Sequence, residues 1–314
     1  MKSVRAFAPA TVANVACGFD VLGFALDKPG DIVTASLVSE SGVSISAIHG
    51  DEGRLPQAAE KNTAGLAVIE LLKSLGSNVG IRLELNKQLP LCSGLGSSGA
   101  SAVAALLAVN ELLDNPMNRK ELLPFAVRAE ELACGSAHAD NVAPSLLGGF
   151  TLVRSSAPLD VVHLDFPKSL CCVVFHPELE LSTEDSRTVL PGQVELAAAV
   201  QQSANLGALV SGLAREDFSL ISRALQDVLA EPFRKRLVPH FDTAKEAALN
   251  AGALGCSLSG SGPSIFALCA SRQVAKQAGQ GIQNVYLGAE IAGTTYVSGI
   301  NSTGGYILSG DNTL

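Results

Sequence analysis

Pro90-Leu-Cys-Ser-Gly-Leu-Gly-Ser-Ser-Gly-Ala100 packs three glycines and three serines between a strand-like segment and a long apolar helix. A loop with little side-chain bulk and many free backbone N–H groups, opening onto a helix N-terminus, makes a phosphate cradle. The amides aim at an anion and the helix dipole favours its charge. Upstream, Val79-Gly-Ile-Arg-Leu-Glu-Leu85 alternates with period two and reads as a strand. Downstream, the pattern predicts a helix from about Ser98 to Leu113.

Taken literally, Gly94-Leu-Gly-Ser-Ser-Gly99 satisfies the dinucleotide fingerprint G-x-G-x-x-G. That reading also requires a strand ending in Asp or Glu about 20 residues further on, to hold a ribose. Here Asp114-Asn-Pro-Met-Asn-Arg-Lys-Glu121 is a turn leading into another helix. A Walker A loop requires Gly-Lys-Ser/Thr, and protein kinases carry H-R-D and D-F-G; none of these occurs. A glycine-rich turn without a ligand is the plainer alternative, with Ser97 and Ser98 as simple helix caps. A second glycine loop, Gly255-Cys-Ser-Leu-Ser-Gly-Ser-Gly-Pro263, favours the ligand reading.

Outward from the loop, Asp31–Val38 and Gly42–Ile48 read as strands. Asn62 or Thr63 caps a helix running to about Leu75, and another helix spans Arg119 to about Cys134. Gly135–Pro144 reads as a polar loop, and Phe150–Arg154 as a strand closing the first half. Ser155-Ser-Ala-Pro158 is the expected linker, giving domains over 1–157 and 158–314. Beyond it lie a buried strand at Leu170–Phe175, helices near 193–212, 217–230 and 242–251, and a strand at Ser264–Cys269. The pattern is that of a two-domain α+β protein.

Of 314 residues, 47% are hydrophobic and 17% charged, ample material for a core. Trp is absent and aromatics make up 4%, which argues against platforms that stack bases or sugars. Net charge is −8 and the longest basic run is Arg234-Lys-Arg236, so no nucleic-acid partner is expected. Phosphates must then be held locally, by amides, a metal ion or a few placed cations. Seven cysteines, an odd number without C-x-x-C spacing, read as reduced thiols rather than a zinc site. With no apolar signal core at the start and no membrane-length apolar run, a cytoplasmic protein is expected.

Three motifs together resemble the GHMP kinases. They are Pro9-Ala-Thr-Val-Ala-Asn14 through Gly18-Phe-Asp20, the Pro90–Ala100 loop, and Gly255–Ser264, in that order along nearly the whole chain. Within that superfamily, three stretches are similar to the homoserine kinase group. These are His138-Ala-Asp-Asn-Val-Ala-Pro-Ser-Leu-Leu-Gly-Gly149, Thr183-Glu-Asp-Ser-Arg-Thr-Val-Leu-Pro191 and Glu231-Pro-Phe-Arg234. The resemblance implies a ribosomal-protein-S5-like N-terminal domain, a ferredoxin-like C-terminal domain and a homodimer. It also implies ATP and Mg2+ as cofactors, and L-homoserine as the substrate phosphorylated on its side-chain hydroxyl for threonine synthesis.

The same resemblance assigns roles. Asn62 and the loop residues Pro90, Leu91, Cys92, Ser93, Gly94, Leu95, Gly96, Ser97, Ser98, Gly99 and Ala100 would hold the nucleotide. Ser98 and Glu130 would ligate Mg2+, with Glu131 competing for the second place. Arg187 and Arg234 suit the substrate carboxylate, because guanidinium binds carboxylates bidentately. Asp20 suits the ammonium, and Asn14, His138, Thr183 and Ser261 are further substrate contacts. Catalysis would fall to Asp140, Asn141 and Arg187. Asp140 is the candidate base, but positioning by Asn141 and Arg187 is preferred, because a loose phosphoryl transition state needs no early deprotonation of the hydroxyl.

Overall fold

The computed structural model describes residues 2–135 and 139–309. The first half contains β1 (Ser3–Ala13), β2 (Leu22–Val38), β3 (Gly42–His49), α1 (Thr63–Ser74) and β4 (Gly80–Asn86). It continues with α2 (Ser97–Leu112), α3 (Arg119–Cys134), α4 (Ala139–Leu147), β5 (Phe150–Ser156) and β6 (Leu159–Leu164). The second half contains β7 (Cys171–Pro177), α5 (Thr183–Thr188), α6 (Leu196–Ala214), α7 (Phe218–Ala224), α8 (Glu231–Arg234) and α9 (Phe241–Asn250). It ends with β8 (Gly255–Leu258), β9 (Ile265–Cys269), α10 (Arg272–Gly288), β10 (Gly293–Gly299) and β11 (Tyr306–Leu308).

Two sheets organise these elements, in the α+β arrangement the sequence suggested. The first runs β11-β1-β2-β4-β3, with β5 pairing β2 and β6 pairing β5. The second is β10-β7-β9-β8. Period-two alternation does its work in β4, where Ile81, Leu83 and Leu85 enter the core and Arg82 and Glu84 face outward. Helix α2 lies deep because its side chains are small: nearly every residue from Gly99 to Leu112 is buried. It packs against α1, β1 and β2. Asn62 caps α1 by accepting from Ala64 N–H, and Asn118 and Glu121 form a reciprocal capping box at the start of α3. A separate core fills the space between the second sheet and α9 and α10.

Three expectations change. Ser155–Pro158, read as a linker, is the turn of the β5–β6 hairpin within the first sheet. The chain crosses to the second sheet only between Leu164 and Cys171, and β11 returns to pair with β1. The loop read over 135–144 holds the start of α4, whose Val142, Ala143 and Leu146 are buried. Its polar first turn disguises that face. The helix read over 217–230 stops at Ala224, because the Asp227 carboxylate captures the N–H groups of Leu229, Ala230 and Glu231 and turns the chain. No helix among the described residues is long and apolar enough to cross a membrane.

Candidate active site

The glycine loop ends at Gly96, which caps α2 in the left-handed region (φ 68°) and offers no side chain to the helix N–H groups. The end of a 16-residue helix is therefore left open to an anion. Glycine is required here: a Cβ on Gly96 would strike the Thr11 hydroxyl and the Asn141 side chain. At Gly94 (φ 76°) a Cβ would strike the Ser259 carbonyl. The two glycine loops thus meet backbone to backbone. Ser259 Oγ donates to Gly94 O (2.8 Å), and Gly260 N–H donates to Ala13 O (3.2 Å) in the first motif. Beneath the loop, the buried Lys87 ammonium pairs with Asp31 and donates to Ser101 Oγ (2.7 Å) and the Ser97 carbonyl (2.8 Å).

A cavity of about 460 Å3 opens between these loops and helices α5 and α8. Leu91, Cys92, Ser93, Gly94, Gly96, Ser97 and Ser98 line it, but Pro90, Leu95, Gly99 and Ala100 do not. Leu95 and Ala100 are wholly inside the core, and Gly99 packs toward Val142. Asn62 reaches the cavity wall, yet its side chain is committed to capping α1 and donating to Pro56 O (3.0 Å). Asn14, Asp20, Thr183, Arg187, Arg234 and Ser261 line the wall as well. His138 lies outside the described residues.

Two buried carboxylates face this space. Burial pushes Glu130 up to about 7, offset in part by the Ser98 hydroxyl and the Lys87 ammonium. Glu131 is instead exposed and paired with Arg128 (2.6 Å), so only Glu130 of the two turns inward. Burial also pushes Asp140 up to about 7, reinforced by the Asp20 carboxylate and opposed by neighbouring N–H groups and Arg187. Next to it, Asn141 Oδ1 accepts from the Thr11 hydroxyl (2.8 Å), which fixes the amide; among the described residues its Nδ2 protons have no hydrogen-bond partner.

Ser93 Oγ, Ser97 Oγ, Glu130 Oε1 and Arg187 Nε are buried without a partner, and all four belong to the cavity wall. Only two other such side-chain atoms occur among the described residues. Buried polar groups are almost always paired, so a concentration of unpaired ones marks where a polar ligand binds. No cluster of three or more His, Cys, Asp or Glu side chains suited to a metal exists among the described residues. One carboxylate with an unpartnered oxygen, beside two unpartnered hydroxyls at an uncapped helix end, has the oxygen donors that suit a hard divalent cation.

At the other end of the cavity Arg187, on α5, and Asp20 form a bidentate pair, both bonds 3.0 Å. Asp20 follows a run of left-handed residues, Asn14 (φ 68°), Val15 (φ 42°) and Ala16 (φ 58°). Asn14 stabilises that turn, accepting from Asp20 N–H (2.9 Å) and donating to Gly260 O (2.8 Å). Arg234 is buried, donating to Ser186 O and Gly260 O (both 3.0 Å). Burial lowers its pKa, but guanidinium stays charged. Both guanidinium groups lie over the Phe19 ring, 6.0 Å (Arg187) and 5.1 Å (Arg234) from its centre.

Sequence reasoning missed Thr11, Phe19, Arg54 and Lys87. Arg54 lines the cavity and pairs with Glu180 (2.5 and 3.1 Å). Thr11 and Phe19 lay inside the first motif, and Lys87 sat one residue past β4, where an isolated lysine carries no local signal.

A family model for the GHMP kinases N terminal domain matches residues 62–149, and one for the GHMP kinases C terminal domain matches residues 209–287. The chain is 50% identical over 320 residues to a homoserine kinase of Chlorobium phaeobacteroides, covering 98% of this chain and 100% of that one. A homoserine kinase of Chlorobaculum tepidum is also 50% identical, over 98% of this chain and 99% of that one. A crystal structure of homoserine kinase from Cytophaga hutchinsonii superposes with a TM-score of 0.97 at 54% identity, covering 98% of each chain.

Proposed function

From the premise that this chain belongs to the GHMP kinase family, and within it to the homoserine kinases, we propose that its cavity transfers the γ-phosphoryl group of ATP to the side-chain hydroxyl of L-homoserine. The product is O-phospho-L-homoserine, a precursor for threonine. One observation carries the reading: the unpaired buried polar atoms line the same cavity as an uncapped helix end and, opposite, a carboxylate with two guanidinium groups. One end suits a triphosphate and the other a zwitterion bearing both an ammonium and a carboxylate.

The first N–H groups of α2 and the Gly94–Ser98 backbone hold the phosphates. Ser98 and Glu130 would hold Mg2+, which would supply neutralisation of phosphate charge. Asp20 takes the substrate ammonium, and Arg187 and Arg234 its carboxylate. Asn141, its amide oriented by Thr11, donates Nδ2–H toward the reacting oxygens, while Arg187 Nε supplies a further unpaired donor. Positioning and charge cancellation then supply the catalysis. Asp140, held near 7, is available to accept the hydroxyl proton late in the transfer. A homodimer fits α6, which carries no charged residue and leaves Leu196 and Val200 exposed; light scattering reads the oligomer directly.

A coupled ADP-release assay with homoserine, mevalonate, galactose and shikimate tests the reading. Turnover confined to homoserine is expected, and absence of turnover with homoserine overturns it.

A further inference from the structure

The segments bearing Asp20 and Arg234 lie more than 200 positions apart in the chain, yet both are tied to one buried side chain behind the cavity. Gln202 is a buried polar residue of α6, a helix with no charged residue. Its amide nitrogen donates to the Cys17 carbonyl (3.0 Å) and to Asp227 Oδ1 (3.1 Å). Its amide oxygen accepts from Val228 N–H (2.9 Å). Both amide protons and the carbonyl oxygen are thus committed.

Each partner leads to a charged group of the site. Cys17 follows directly on the left-handed run at Asn14, Val15 and Ala16, a conformation disfavoured for residues with side chains. That turn delivers Phe19 and Asp20, and it needs ties from outside to persist. Asp227 takes the N–H groups of Leu229 (2.8 Å), Ala230 (3.0 Å) and Glu231 (2.8 Å), folding the chain into α8. Helix α8 has only four residues and could not hold its shape alone. Arg234 is its last residue, and its guanidinium lies over the Phe19 ring, 5.1 Å from the centre.

We propose that Gln202 is a positioning residue for the acceptor substrate: its amide clamps the Cys17 and Asp227 turns together and so sets the spacing between Asp20 and Arg234. An α-amino acid carries its ammonium and carboxylate at a fixed separation, so a change in that spacing would weaken its binding. It touches no part of the glycine loop or of Glu130, so its influence falls on the acceptor and not on the nucleotide. The inference rests on the assignment of Asp20 and Arg234 to homoserine made above.

The test is the kinetics of Gln202→Leu, similar in volume but without hydrogen-bonding groups, beside Gln202→Asn, which keeps the amide on a stem too short to span both turns. For each, the KM for homoserine is expected to rise at least roughly tenfold, because Leu removes all three hydrogen bonds and Asn cannot span both turns. The KM for ATP, and the affinity for a non-hydrolysable ATP analogue by calorimetry, should stay at the wild-type value. A merely structural role would move both substrates together. If Gln202→Leu fails to fold, Gln202→Asn carries the same readout. A parallel rise in both KM values, or no change in either, overturns the inference while leaving the activity intact. Wild-type protein inactive on homoserine overturns the underlying assignment, and the inference with it.

Discussion

Asp20 and Arg187, 167 positions apart in the chain, face each other through two parallel hydrogen bonds of 3.0 Å. Their side chains remain 39% and 35% exposed, which decides what the pair is worth. An ion pair this wet stabilises a fold by at most about 1 kcal/mol. Its two members carry the charges complementary to an amino-acid zwitterion, so under the proposed assignment substrate binding would exchange one pair for two.

Arg187→Ala should therefore leave the melting temperature nearly unchanged while lowering kcat/KM for homoserine on the order of 100-fold. Binding of the ATP analogue should hardly change. Comparable losses of nucleotide and homoserine affinity would count against the assignment.

Asp140 makes stability depend on pH. In an unfolded chain its carboxyl titrates near 3.9, whereas burial holds it at about 7 in the fold. Below about pH 4 both states are protonated and there is no penalty. Between the two values the folded state keeps a proton that the unfolded state releases, so stability falls as pH rises. Asp140→Asn should melt a few degrees above wild type at pH 8, the gap closing as the pH approaches about 4. A gap of the same size at both pH values would refute the burial argument.

Glu130→Gln separates stability from activity. Removing a buried carboxyl whose ionisation is penalised by burial should raise the melting temperature of the ligand-free protein at and above neutral pH. Phosphoryl transfer should fall by at least about 100-fold, with a higher Mg2+ requirement, because a proposed metal carboxylate is lost. A variant retaining wild-type turnover would exclude Glu130 from that role.

Gly96→Ala places a methyl group against the Thr11 hydroxyl and the Asn141 side chain while occupying a left-handed backbone. A destabilisation of about 1–3 kcal/mol in urea unfolding is expected, with a loss of activity beyond what the remaining folded fraction explains.

Lys87→Met strands the buried Asp31 carboxylate, and urea unfolding should register a loss of about 3–5 kcal/mol. Adding Asp31→Leu should restore part of that loss, because the orphaned charge accounts for most of the cost.

Local chemistry made much of this protein legible in advance. The Pro90–Ala100 loop announced an open helix end because glycine and serine leave backbone amides bare ahead of an apolar helix. The alternation in β4 and the Asn62 cap of α1 were readable for the same reason: each depends on neighbours within a few residues. Helix α4 escaped because its polar first turn imitates a loop, and its apolar face shows only against β1 and β2.

The sequence by itself determined the α+β character, the glycine-serine loop that opens onto α2, and most of the polar side chains that line the cavity. Only the tertiary structure decided that Glu130 and not Glu131 turns inward, that Asp20 meets Arg187, and that Lys87 sits under the loop. It also fixed the Asn141 amide through Thr11 and joined the Cys17 and Asp227 turns through Gln202. These contacts span tens to hundreds of positions. They exist because folding buries the intervening apolar segments, and buried polar atoms must then find whatever partners the packing brings within reach.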